Sequence, residues 1–335
     1  MDEAKFIITA SPHIKKNIGV NKIMACVILA LAPAAAASFF LFGPGALAHI
    51  AVSIISCVCF EALFQKIIKK PVTANDFSAV VTGTLLAFTL PPSVPYWMPV
   101  IGAFFAIVIV KQLFGGLGQN FMNPALAARA FLQTAYPDRM MNWPAPNGFS
   151  GADAVTSATS GADAVTSATP LSALKFAPVP PAAKDYIDAL LGNISGGLGE
   201  TCAIALIIGG LFLIIIKVVS WRIPFSFILS FLLFSWIFGR GSMFGGYPVY
   251  ELLLGGAMLG AFFMATDYST SPVTPRGKLI FGAGCGFFSV LIRVYGGYPE
   301  GVNYAILLMN LATPLLDKYT KPAVFGAKFK RSKVE

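Results

Sequence analysis

Two sets of residues in this sequence have types and spacings that could do chemistry. The first is a hydroxyl-rich island. Ser-Gly-Ala-Asp-Ala-Val-Thr-Ser-Ala-Thr runs from Ser150 to Thr159, repeats unchanged from Ser160 to Thr169, and is followed by Pro170-Leu171. Its side chains are small, so a large flat group could lie against the backbone. Thr169 differs from its duplicate Thr159 because Pro170 follows it and biases it to an extended conformation. Such a residue, flanked by Ser167 and Ala168, presents its hydroxyl outward. One reading is a covalent attachment site at Thr169. The other is a flexible linker enlarged by a tandem duplication.

The second set consists of charged and amide groups at the margins of apolar runs. Asp76, Asp267 and Asp317 sit beside such runs, with Glu61 and Glu251 as weaker companions. A charge within a membrane is costly and seldom idle, which makes these acids candidates for ion coupling. Each could equally cap a helix or pair with an interfacial lysine. Arg129 falls inside an apolar run and wants a partner, either a ligand's ring or phosphate or a backbone carbonyl. Asn120 and Asn123 precede that run, where capping is the better expectation than ligand binding.

The elements that position these groups are membrane spans. Of 335 residues, 56% are hydrophobic and 12% charged, against about 25% charged in a soluble domain. Several runs reach the ~20 residues that cross a bilayer core. The first residues, Met1-Asp-Glu-Ala-Lys-Phe, do not read as a cleavable signal peptide. The net charge of +9 does not indicate nucleic acid, because the basic residues flank apolar segments, where they orient helices. Cys26, Cys57, Cys59, Cys202 and Cys285 all lie in apolar runs and are expected to pack rather than to bridge or bind metal.

In chain order the expected spans are about 23–42, 47–68, a short third from Asp76 to Leu90, 96–114, and a fifth from Phe121 to Tyr136. A polar, Pro-rich segment follows, then spans at about 199–219, 223–238, 250–265, 279–295 and 302–316. The third and eighth resemble each other. Gly83-Thr-Leu-Leu-Ala parallels Gly256-Ala-Met-Leu-Gly, each with an acid upstream and a proline-containing break downstream. The expected fold is therefore an all-α membrane protein of ten transmembrane segments, built as two inverted five-helix repeats with interrupted third and eighth helices. Paired interruptions of this kind point to a midplane site. The expected divisions are a cytoplasmic leader (1–21), the first repeat (22–136), an extracytoplasmic loop (137–198), the second repeat (199–317) and a basic cytoplasmic tail (318–335).

Basic residues give the orientation. With the N-terminus in the cytoplasm, 18 Lys and Arg fall inside and five outside, the five being Arg139, Lys175, Lys184, Arg240 and Arg293. That bias places the duplicated island outside the cytoplasm and both termini within it.

Three stretches, taken together, resemble a known family. They are Asn120-Phe-Met-Asn-Pro-Ala-Leu-Ala-Ala-Arg-Ala-Phe, Ser167-Ala-Thr-Pro-Leu171 and Phe263-Met-Ala-Thr-Asp267, joined by Pro299-Glu-Gly and Asn310-Leu-Ala-Thr-Pro-Leu-Leu-Asp317. In this order the chain resembles the RnfD family, membrane subunits of the bacterial and archaeal Rnf complexes, and their relative in the sodium-pumping NADH:quinone oxidoreductase. The likeness implies FMN joined through its phosphate to Thr169 by an extracytoplasmic flavin transferase, with the duplicated Thr159 as a rival. It also implies a non-covalent riboflavin between the helices and the other Rnf subunits as partners in the cytoplasmic membrane. Electrons passing from ferredoxin to NAD would then drive Na+ or H+ outward. Family acids implicated in cation handling fall on Asp76, Asp267 and Asp317. The chief alternative is an inverted-repeat channel or secondary transporter without flavin.

Overall fold

The first two helices show how the chain is punctuated. α1 (Val20–Phe42) ends at Gly43, whose φ of +77° suits a glycine, and Pro44 then opens α2 (Pro44–Ile67) at a position that needs no N–H. The computed structural model describes residues 19–146, 169–176, 180–239 and 244–322. No strand occurs among the described residues. Ser167, Ala168 and Thr159 lie outside them.

α3 (Ser78–Phe88) is 11 residues long, so it rises only about 16 Å, roughly half a bilayer core. Its freed terminal carbonyls still need donors, because lipid offers none. Gly199 N–H donates to the Phe88 carbonyl at 3.0 Å and Leu198 N–H to the Leu90 carbonyl at 3.1 Å. The approach is close enough that a Cβ at Gly199 would lie 2.1 Å from the Phe88 ring. α4 (Trp97–Phe104) continues into wider π-helical turns over Phe105–Gln112, and α5 (Pro124–Ala135) begins at Asn123.

The polar segment is folded where it is described. α6 (Pro137–Met140), α7 (Pro170–Phe176) and α8 (Ala183–Leu191) bury Met140, Leu171, Leu174 and Ala189. A free linker reading therefore fails for 169–176. Lys175 Nζ donates to the carbonyls of Gly296 and Tyr298, tying α7 to a distant loop.

α9 (Ala203–Ile215) and α10 (Arg222–Ile237) follow. The next segment breaks inside its length, upstream of the break expected at Thr266–Pro272. α11 (Pro248–Leu253) stops, Gly255 turns with φ +66°, and α12 (Ala257–Leu259) runs into π-helical turns over Gly260–Met264. α13 (Pro275–Tyr295) and α14 (Val302–Tyr319) are the last two helices among the described residues. All ten expected spans contain helix. Among the described residues three helices, α1, α2 and α13, are long and apolar enough to cross a membrane. Large apolar side chains such as Ile55, Leu63, Ile208, Ile215 and Leu229 face outward, as suits a protein solvated by lipid.

Small residues let the helices meet. α1 packs on α9, α5 on α14, α2 on α3 and α4, and α10 along α13. On α13, Gly282 and Gly286 face Ser226 and Ser230 of α10, and a Cβ at Gly286 would lie 2.0 Å from Ser230 Oγ. This is the close-approach packing typical of membrane helices. Gly286→Leu should therefore lose about 1–3 kcal/mol or more through overpacking. Thermal unfolding in detergent should show a clearly lower midpoint; an unchanged midpoint would mean the α10–α13 seam is not tightly packed.

Candidate functional site

Two cavities carry the polar groups. The first, about 720 Å³, lies among α1, the start of α3, the start of α5 and the π-helical end of the broken segment. Asn120, Asn123, Thr266, Asp267, Ser269 and Lys111 line it. Asn123 caps α5: its Oδ1 accepts from the N–H groups of Ala125 (3.0 Å) and Leu126 (3.3 Å). Its Nδ2 donates to the Met264 carbonyl at 3.2 Å, so α5 is pinned to the π-helical turns. Asn120 caps nothing. Its buried Oδ1 has no hydrogen-bond partner among the described residues. Asp267 closes a turn, accepting from the hydroxyls of Ser269 (2.9 Å) and Thr270 (3.3 Å).

A buried charge chain stands behind this cavity. Lys111, in the π-helical turns after α4, is paired with Glu61 of α2 at 2.7 Å, and each side chain is 1% exposed. Lys111 Nζ also donates to Ser78 Oγ at 2.7 Å, and Ser78 donates in turn to Asp76 Oδ1 through its hydroxyl (2.5 Å) and its N–H (2.8 Å). Gln112 donates to Glu61 Oε1 at 2.7 Å. Asp76 thus caps α3 and joins a relay to a lysine. Asp317 is separate; it accepts from Val273 N–H at 3.0 Å and ties the end of α14 to the turn before α13.

The second cavity, about 600 Å³, is lined by Thr169, Pro170, Leu171, Arg129 and the Gly196-Gly197 and Leu254-Gly255 backbones, with Glu200 and Glu300. α5 links the cavities, since Arg129 stands six residues beyond Asn123, about 9 Å along the helix. Thr169 is half-buried and caps α7. Its Oγ1 is 2.7 Å from Ser172 Oγ and accepts from Ser172 N–H at 3.2 Å, so the hydroxyl is held at the cavity wall instead of pointing freely outward.

Arg129 is paired with carboxylates. Its guanidinium is clamped between Glu200 (2.6 Å) and Glu300, two acids from separate loops. Glu300 Oε1 also accepts from Gly256 N–H at 2.5 Å, capping the break between α11 and α12. Arg293 finishes that break. Counted from sequence as a loop residue outside, it is wholly buried. It donates to the carbonyls of Glu251 (2.5 Å) and Leu254 (3.0 Å), and its guanidinium lies 4.9 Å from the Phe231 ring centre. Lys111, counted inside, is likewise buried. Removing both leaves the basic bias standing.

The structure thus gathers Thr169 and Arg129 at one cavity and Asn120, Asn123 and Asp267 at the other, with Asp76 one hydrogen bond behind. Asp317 is brought to neither. Sequence reading missed Glu200 and Gln112, counted Arg293 and Lys111 only for orientation, and quoted Glu300 only within Pro299-Glu-Gly. The available signal was their position: Lys111 and Arg293 each lie within an apolar helix-length run, and Glu200 and Glu300 each adjoin glycine at a span's start.

A helical membrane chain with two broken segments, each opening on a polar cavity, defines the class. Comparison with known proteins gives the family. A family model described as "NQR2, RnfD, RnfE family" matches residues 7–326, and the chain belongs to that family. It is 48% identical over 328 residues to the subunit named D of the Na(+)-translocating ferredoxin:NAD(+) oxidoreductase complex of Acetobacterium woodii, covering 97% of each chain. It is 44% identical over 331 residues to the proton-translocating counterpart of Clostridium ljungdahlii, covering 96% of this chain and 97% of that one. The corresponding subunit of an ion-translocating oxidoreductase complex from Ectopseudomonas mendocina is 38% identical over 326 residues, or 94% of each chain.

The Lys111–Glu61 pair makes a stability prediction. Removing one partner of a buried ion pair strands the other and costs about 3–5 kcal/mol, whereas removing both is often close to neutral. Lys111→Met should lower the unfolding midpoint sharply, and adding Glu61→Gln should recover most of the loss. Equal losses in the single and double variants would show that the two charges are not energetically paired.

Proposed function

We propose that this chain is the RnfD-type membrane subunit of an ion-translocating ferredoxin:NAD oxidoreductase, with FMN esterified to Thr169. The observation that carries the proposal is the meeting of Thr169, in its Ser-Ala-Thr-Pro-Leu setting, with Arg129 at one cavity. The cavity is open on one side, so a ring system can enter it from the mouth. Its glycine backbones leave room for a flat group, and Leu171 supplies an apolar wall. The ester oxygen of a modified Thr169 can still accept from Ser172 N–H, so attachment need not uncap α7.

FMN bound there supplies one- and two-electron chemistry, and the protein's part is to hold and tune it. The first cavity suits a second, non-covalent flavin such as riboflavin. Asn120 Oδ1 offers an acceptor without a present partner, and Asn123, Thr266 and Ser269 surround it with polar edges. α5 then connects one flavin site to the other.

The chain is read as two inverted five-helix repeats, 22–136 and 199–317. Support comes from the matched packing of α2 with α4 and of α10 with α13, and from the like-with-like contacts α1–α9 and α5–α14. Both termini are placed in the cytoplasm and residues 137–198 outside, where a flavin transferase would modify Thr169. The remaining subunits of the complex complete the electron path. The sodium-named and proton-named relatives are similarly close, so overall likeness does not select the ion. A flavin-free channel or transporter would use the same broken helices but would leave the Thr169 cavity without a role.

Thr169→Ala should abolish flavin fluorescence in the denatured polypeptide on a gel, while Thr159→Ala should leave it. Fluorescence surviving Thr169→Ala would refute the assignment. For coupling, Asp76 and Asp267 border the two interrupted segments, where freed backbone groups can help hold a cation. Asp76→Asn and Asp267→Asn should each reduce ion uptake into vesicles several-fold with the flavin still attached. Unchanged uptake in both would reduce these acids to caps.

A further inference from the structure

The two carboxylates on Arg129 are not equivalent. Glu300 is saturated: Arg129 holds one oxygen and Gly256 N–H the other. Glu200 receives Arg129 on Oε1 only, and its Oε2 has no hydrogen-bond partner among the described residues. Glu200 is 3% exposed yet lines the Thr169 cavity, which opens to solvent. The charges facing it are Arg129 from α5, Glu300 from the loop before α14 and Arg293 from α13. With both acids ionised, two positive and two negative charges balance. An electron delivered to a group in the adjoining cavity breaks that balance, and an uncompensated charge in a low-dielectric site is costly.

We propose that Glu200 is the proton-accepting partner of the flavin on Thr169, a reading that rests on flavin attachment there. One electron comes from a one-electron carrier of a neighbouring subunit, which is oxidised as the flavin is reduced. Glu200 Oε2 takes one proton from water at the cavity mouth, forming an O–H bond and leaving hydroxide to the bulk buffer. The net charge of the cluster and the flavin taken together is then unchanged. When the electron leaves, Glu200 returns the proton. Arg129 positions Glu200 by gripping Oε1, so the opposite oxygen faces the cavity. Glu300 stays ionised because its second oxygen is committed to the helix break. One sequence neighbour fits this role: Gly197 keeps side chains away, since a Cβ there would sit 3.1 Å from Glu200 Oε2.

The test uses the assembled, flavin-loaded complex. Redox titration of the covalent flavin should give a potential that falls with pH in the parent protein, with close to one proton taken up per electron. Glu200→Gln should flatten that dependence while the flavin remains attached, and Glu200→Asp should restore it. A purely structural Glu200 would leave the pH slope alone. Redox-difference infrared spectroscopy of the parent protein gives a second readout that needs no variant to fold. A protonated-carboxyl band should grow on reduction and be absent from Glu200→Gln. A pH slope unchanged in Glu200→Gln, or no such band in the parent protein, would overturn the proposal while leaving Thr169 attachment intact. Absence of covalent flavin from Thr169 in the parent protein would overturn both.

Discussion

A guanidinium buried in a lipid-solvated fold must be matched, and Arg129 is matched twice. The acids that match it, Glu200 and Glu300, come from loops a hundred residues apart in sequence, so one ion cluster gathers α5 and the entries to α9 and α14. Breaking it would leave largely buried charges without their partners, which is among the largest penalties a protein can incur. The cluster also forms the inner wall of the Thr169 cavity. Shape of the cavity and charge within it therefore depend on the same three side chains.

The broken segments obey a related constraint, because every backbone group freed inside the membrane needs an internal partner. The two breaks meet it differently. At the end of α3, the carbonyls of Phe88 and Leu90 are taken by backbone N–H groups of Gly199 and Leu198. Between α11 and α12, side chains do the work: Arg293 takes two carbonyls and Glu300 takes the Gly256 N–H. The second solution places charge at the break, and that charge adjoins the Thr169 cavity. At the other cavity, Asn123 serves the backbone on both sides, capping α5 and holding the Met264 carbonyl.

Much of this was legible in residue patterns. Apolar runs located the helices, the shortness of 78–88 marked one break, and Asn123-Pro124 announced the start of α5. Thr169 stood out because a proline follows it, but the helix that Pro170 opens, which Thr169 caps, was not read from the sequence. The end of the eighth segment at Thr266–Pro272 was read from its turn residues and is present, but the further break at Leu254–Gly256 was missed because it rests on a single left-handed glycine. Arg293 was misread because it stands two residues before the end of its helix, where a basic residue is usually interfacial. Glu200 and Glu300 were invisible as partners of Arg129, because their pairing is made by tertiary packing between distant loops. Small-residue spacing on α13 was present in the sequence, but its meaning depends on which helix lies opposite.

The central claim is that Thr169 carries its flavin into the cavity walled by Arg129, Glu200 and Glu300. A density map of the flavin-loaded chain within its complex tests this most directly. The predicted result is density continuous with Thr169 Oγ1, its ring lying between Leu171, the Gly196-Gly197 backbone and Leu254-Gly255. Density joined to Thr159 instead, or a Thr169 side chain without any attached group beside a lipid-filled cavity, would contradict it.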